Sequence, residues 1–242
     1  MILIFLCAGM GKRMKSKIPK PLLQVCGTPM ISHLLRTTTG DGLCVEKIIL
    51  VINPAHRSLF QSVLDKHDRI LLVDQDIQLG TGHAFLCAWN YLLKEHISTS
   101  IVVVANGDTP FLPHSLFAYL EKANVSTVVG FHTHDPSGYG RIIHSGRNVK
   151  IIEDKDCSEE EKRVGLVNAG VYAFVWDDVC TIPFVLSTQN VQKEMYITEV
   201  VSIIQDHGYP VQVHVVENEK YFRGANTPEE LVALENIFTK TL

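Results

Sequence analysis

Gly9 and Gly11 stand just after an apolar run, and Lys12, Arg13 and Lys20 follow them closely, with Pro19 and Pro21 around the last. Glycines at such a turn let the backbone approach a phosphate and aim its N–H groups at the anion. Three cations supply about the positive charge that a triphosphate needs once water is partly excluded. The third glycine of a dinucleotide fingerprint is missing, the prolines interrupt any long helix, and no GxxxxGK[ST] run is present. A glycine turn leading into an ordinary solvated basic loop is the plain alternative.

A second candidate is Asn106-Gly107-Asp108, at the end of the apolar run Ile101 to Ala105. An aspartate at the carboxyl end of a strand suits Mg²⁺, which takes one or two protein oxygens and completes its shell with phosphates and water. Aspartate is equally common as a turn or capping residue. The third candidate is Gln75 to Ala84, in which a glutamine side chain can donate to and accept from a base edge. Gly80 and Thr81, at a helix start, add backbone and hydroxyl contacts. His83 reads as a packing or capping residue rather than a catalyst.

The elements that must position these residues alternate. Strand-like runs at 1–7, 47–53, 69–74, 100–106 and 125–131 are separated by helical spacing at 28–38, 55–66, 82–95 and 114–123. That alternation predicts a mostly parallel sheet with helices on both faces, which places ligands beyond the carboxyl ends of the strands. The loops at 8–21, 75–81 and 107–112 then open onto one rim. After residue 132, short strands at 141–145, 148–153 and 167–175 predict an inserted β-rich substrate lobe. Helices at 193–207 and 227–239, flanking a strand at 210–216, return to the main sheet. The mixed-charge stretch Asp154 to Arg163 reads as a solvated loop.

The 242 residues carry a net charge of -4, so no overall positive field is available to hold a nucleic-acid backbone. A single domain spanning 1–242 is expected. The six cysteines, with no CxxC pair, read as reduced and mostly buried thiols of a cytoplasmic protein. Met1 to Leu6 lacks the basic n-region of a signal peptide and reads as a buried strand. The other apolar runs are too short to span a bilayer.

Several segments recur in order: Leu6 to Met14 with Pro19-Lys20, Gln75 to Ala84, Gly107-Asp108, Gly138-Tyr139-Gly140-Arg141-Ile142, Ile152 to Asp156, Asn168-Ala169-Gly170 and Tyr196-Ile197-Thr198. In these the chain resembles, over nearly its full length, the N-acetylglucosamine-1-phosphate uridylyltransferase domain of a bifunctional bacterial enzyme. The resemblance implies a Rossmann-like α/β nucleotidyltransferase fold and Mg²⁺-dependent transfer of UMP from UTP to N-acetylglucosamine 1-phosphate, in cell-envelope precursor synthesis. It implies that Leu6, Cys7, Ala8 and Gly9 line the nucleotide, that Lys20 holds its phosphates, and that Gln75, Gly80 and Thr81 read uracil. Gly140, Glu153 and Asn168 would hold the sugar, and Asn106 and Gly107 would line the nucleotide-sugar pocket. Asp108 and Asn226 would ligate Mg²⁺, and Lys20, Arg13 and Asp108 are the candidate catalytic residues.

Three positions depart from the family pattern. Cys7 stands where a second alanine is usual, Lys12 where threonine is usual, and Ala225 where valine precedes the asparagine. The β-helix that gives the bifunctional enzyme its acetyltransferase activity and trimer is expected to be missing after Leu242. The acetyl group would then come from a separate acetyltransferase. Transfer from another triphosphate, or to another sugar or polyol phosphate, is an alternative within the same chemistry. A non-catalytic nucleotide-sugar-binding subunit is an alternative of another class.

Overall fold

The computed structural model describes all residues except 10, 12, 13, 15, 41, 65–67, 226 and 240–242. Its centre is a nine-stranded sheet. Strand β1 (Ile2–Leu6) is apolar at every position and is flanked on both edges by parallel strands, Ile4 pairing with Ile49 on one side and with Val104 on the other. A strand covered on both faces must be apolar throughout. Leu3 and Phe5 face one core layer, while Ile2 and Ile4 face the other.

The neighbours of β1 are β4 (Lys47–Ile52) and β6 (Ile101–Asn106), and β5 (Ile70–Asp74) lies beyond β4. Helices α1 (Met30–Thr38), α2 (Arg57–Leu64) and α4 (His114–Leu120) cover the face of Leu3 and Phe5. Helices α3 (Thr81–Lys94), the short α5 (Trp176–Val179) and α6 (Thr198–Asp206) cover the other, where Phe85 and Trp89 stack with centroids 5.3 Å apart. Because β1, β5 and β6 run in the same direction, the loops that follow them share one rim, as the alternation predicts.

Strand β10 (Leu166–Val175) lies inside this sheet rather than in an inserted lobe, antiparallel between β6 and β7 (Ser126–His132). Val171 and Ala173 pack into one core layer and Tyr172 and Phe174 into the other, and a peripheral lobe could not cover both faces. Only the hairpin of β8 (Arg141–Ser145) and β9 (Asn148–Ile152) stands off the main path. Parallel strand β11 (Val211–Val215) closes the far edge beside β7.

Two further elements differ from expectation. A small hairpin, β2 (Gln24–Val25) and β3 (Thr28–Pro29), precedes α1, and helix α7 (Pro228–Thr239) packs on it through Leu234. Helix α6 begins at Thr198 rather than 193, because the Asn190 side chain accepts from Glu194 N at 3.2 Å and donates to Glu194 O at 2.6 Å, holding a loop there.

Of the cysteines, Cys7 and Cys157 are buried, Cys87 and Cys180 are half-buried, and Cys26 and Cys44 are exposed. Burial is thus less general than composition implies, since Cys26 occupies the β2–β3 turn with φ +49°. No helix among the described residues is long and apolar enough to cross a membrane.

Candidate active site

Two cavities, of about 520 and 500 Å³, adjoin at the rim formed by the carboxyl ends of β1, β5 and β6. They share Lys20, Thr81, Asn106, Asp108 and Glu194 as a common wall. The smaller takes Leu6, Cys7, Ala8, Gly9 and Gly11 from the loop after β1, and Gln75, Gln78 and Gly80 from the loop after β5. The larger takes Gly140, Glu153 and Asn168, and an aromatic wall of Phe131, Tyr139 and Phe222. Phe131 and Phe222 stack nearly parallel there, with centroids 5.1 Å apart.

Lys20 and Asp108 form an ion pair in the common wall, their side chains 11% and 27% exposed. Residues 106–108 reach that wall because Leu6 and Asn106 are paired in register, and Gly107 N donates to Leu6 O at 3.0 Å. Gly107 lies behind the wall and lines neither cavity; a Cβ there would meet Cys7 Sγ at 2.3 Å. Burial, and then the Asp108 charge, push the Cys7 thiol well above its ordinary range, so it is neutral and no nucleophile. A methyl-sized group packing under the loop is the role left to it.

Gln75 is only 3% exposed. Its amide nitrogen donates to Gly80 O at 3.0 Å and lies 3.1 Å from His83 Nδ1, which fixes the side chain and gives His83 the packing role expected of it. Gln78 Nε2 donates to Gln75 O at 2.8 Å and tightens the same loop.

This loop is clamped to the segment before α6. Met195 N donates to Leu79 O at 2.7 Å, Gly82 N to Met195 O at 2.8 Å, and Ile197 N to Thr81 Oγ1 at 3.2 Å. Glycine is required at both crossings. A Cβ on Gly80, whose φ is +114°, would lie 2.5 Å from Met195 O, and one on Gly82 would lie 2.8 Å from the Tyr196 carbonyl.

In the larger cavity, Thr198 Oγ1 donates to Glu153 Oε1 at 3.1 Å. Burial raises the pKa of Glu153 above the usual carboxylate range, against the Thr198 bond, which lowers it. Asn168 is turned inward by an irregularity in β10 between Asn168 and Tyr172, where Gly170 adopts φ +68°. Asn168 Nδ2 donates to Tyr172 Oη at 2.6 Å, and Gly170 N donates to Asn168 Oδ1 at 3.1 Å. Burial holds the Tyr172 hydroxyl protonated.

The stretch Asp154 to Arg163 is more than a solvated loop. Asp154 Oδ1 takes a 2.8 Å ion pair from Arg141, a side chain 2% exposed, and so staples β8 to the turn that follows Glu153. A buried guanidinium requires such a partner.

Arg13 and Asn226 lie outside the described residues. The segment leading to Asn226 crosses Asp108 closely, since a Cβ on Gly224 would be 2.8 Å from Asp108 O. Asp108 offers a hard oxygen at the cavity wall, the kind of donor that fits Mg²⁺ bound chiefly through substrate phosphates. Among the described residues no group of three His, Cys, Asp or Glu side chains converges.

The sequence reading assigned no role to Glu194, Tyr196, Thr198 or the aromatic wall. The run Tyr196-Ile197-Thr198 was the available signal, and its position on the clamp explains why that run accompanies the other motifs.

The family model described as the MobA-like NTP transferase domain matches residues 3–146. The bifunctional protein GlmU of Caldanaerobacter subterraneus subsp. tengcongensis is 34% identical over 252 residues, covering 100% of this chain and 52% of that protein. The GlmU proteins of Clostridium botulinum (strain Eklund 17B) and Alkaliphilus oremlandii are 35% and 34% identical, covering 97% and 99% of this chain. The chain spans about half the length of these curated relatives.

Proposed function

Because the chain belongs to the MobA-like NTP transferase family, we propose that it transfers UMP from UTP to N-acetylglucosamine 1-phosphate, giving UDP-N-acetylglucosamine and pyrophosphate. The observation that carries this reading is the pair of adjoining cavities with Lys20 and Asp108 in their common wall. Two polyanionic substrates, one in each cavity, would meet at that wall. The uracil and the acetamido sugar rest on the motif resemblance, and the GlmU relatives that support it are bifunctional proteins about twice as long.

A sugar 1-phosphate is largely dianionic at neutral pH, because its second pKa is about 6. One of its oxygens attacks the α-phosphorus of the triphosphate in line, a P–O bond to that oxygen forms, and pyrophosphate leaves with the electrons of the broken bond. No general base is required. The protein aligns the reacting atoms and offsets the repulsion between two anions.

Leu6, Cys7, Ala8 and Gly9 line the nucleotide, Gln75, Gly80 and Thr81 read its base, and Lys20 with Arg13 holds its phosphates. Glu153, Asn168 and Gly140 hold the sugar, Asn106 extends along both, and Gly107 supports the loop from behind. Asp108 with Asn226 would hold Mg²⁺, which when bound neutralises charge on the phosphates. The whole unit acts as one domain, in the cytoplasm, for cell-envelope precursors. Its acceptor carries the acetyl group before the uridylyl transfer.

Pyrophosphate release over a grid of triphosphates and sugar 1-phosphates tests the proposal. Turnover is expected with UTP and N-acetylglucosamine 1-phosphate, to fall with glucosamine 1-phosphate or glucose 1-phosphate, and to require Mg²⁺. Faster release with another pair of substrates overturns the assignment.

A further inference from the structure

A third cavity, of about 370 Å³, lies on the far side of the segments that carry the common wall. Asp108 and Thr109 face the larger chamber, whereas Pro110 to Pro113, the next residues of the same loop, line this one. The turn Glu219–Phe222 is likewise divided, with Glu219 and Phe222 towards the chamber and Lys220 and Tyr221 towards the third cavity. Ile237 of α7 lines both.

The lining is chemically one-sided. Among the described residues it contains no aspartate or glutamate, while Arg36 and Lys220 bring two cationic side chains in a chain whose net charge is -4, and His33 Nε2 is held 2.9 Å from Val25 O. Neither Arg36 nor Lys220 enters an ion pair among the described residues. Phe111 and Tyr221 bring aromatic rings, and the two prolines bring rigid apolar faces. A bare inorganic anion would leave these faces uncovered. An uncharged ring would cover two cations without pairing them. A flat ring joined to a phosphate satisfies both, and the volume lies within the usual range for small-molecule sites.

We infer that this cavity binds a nucleoside monophosphate and that its occupancy alters turnover through the loop 108–113. The binding stands on the cavity alone; the coupling rests on the role proposed for Asp108. An occupant wedged between Pro110–Pro113 and Tyr221 bears on both segments that adjoin Asp108, and the prolines limit the ways in which the loop can yield.

The test is calorimetric titration of the full chain with AMP, beside adenosine and inorganic phosphate as single-feature probes. AMP is expected to bind, with each probe at least tenfold weaker. The double variant Arg36→Ala/Lys220→Ala, altered at exposed positions, is expected to lose at least tenfold in AMP affinity, and Gln75→Ala in the nucleotide chamber to leave it unchanged. No binding at millimolar AMP, binding lost in Gln75→Ala, or full binding in the double variant overturns the site. In the wild type, AMP is expected to change the initial rate at subsaturating UTP at least twofold, and not in the double variant. Binding with no such change overturns the coupling. Absence of turnover with every substrate pair would instead count against the proposed reaction, leaving the binding result intact.

Discussion

Lys20 and Asp108, 88 positions apart in the chain, meet as an ion pair in the wall between the two main cavities. Each satisfies the other's charge in the unliganded protein, and each has a more favourable partner in the proposed complex, phosphate for the ammonium and metal for the carboxylate. Asp108→Ala is expected to lower kcat by about 10²–10³-fold, and Lys20→Ala to raise the KM for UTP while also lowering kcat. Steady-state kinetics on variants whose circular dichroism matches the wild type is the measurement. Wild-type constants in either variant remove that residue from the site.

Metal dependence should appear in turnover and not in folding. With Asp108 and Glu194 the carboxylates of the wall and no cluster of three His, Cys, Asp or Glu side chains among the described residues, chelation by EDTA is expected to stop pyrophosphate release while leaving the Tm of the unliganded chain unchanged. A Tm drop on chelation would mean a structural metal site elsewhere.

His83 acts through Gln75. His83→Ala removes one of the two contacts that fix the Gln75 amide, so the KM for UTP should rise several-fold at nearly constant kcat. An equal fall in kcat would instead point to a part in the chemical step.

Glu153 gives a pH signature. Burial raises its folded-state pKa above the ordinary 4.5, so between 4.5 and the raised value the folded chain binds more protons than the unfolded one. Stability conferred by this group is therefore present in full below 4.5 and is lost as the pH rises through the folded value. The Tm of Glu153→Gln relative to wild type should increase over that window, while the KM for the sugar phosphate rises. A pH-independent Tm difference refutes the electrostatic account.

Gly82→Ala tests the clamp between the cavities. Its Cβ would press on the Tyr196 carbonyl and on Leu186 Cδ1, at 2.8 and 2.5 Å, and overpacking of that kind costs roughly 1–3 kcal/mol. Urea unfolding should show that loss, and the KM values of both substrates should rise together. A change in only one KM would mean that the clamp does not join the two chambers.

Much of this arrangement was legible in the sequence because local pattern determines it. Alternation of apolar runs with helical spacing predicted the parallel strands, and strand direction alone placed the loops after β1, β5 and β6 on one rim. Strand β10 was misplaced because an apolar run carries no record of its neighbours. The pairing of Tyr172 with both Val104 and Val128 joins residues far apart in the chain. Asp154 looked solvated for the same reason, since its partner Arg141 is buried by tertiary packing. Glu194 escaped notice because only the Asn190 turn and the Gly80 crossing bring it to the wall.

The placement of Ile2–Leu6 in the middle of the sheet bears on how the protein is made. This segment leaves the ribosome ahead of both strands that will flank it, and the second of these ends only at Asn106. For that interval five consecutive apolar residues have one edge unpaired. Nascent chains of this protein should therefore depend on a holdase, or on rapid translation, until the second flanking strand has emerged.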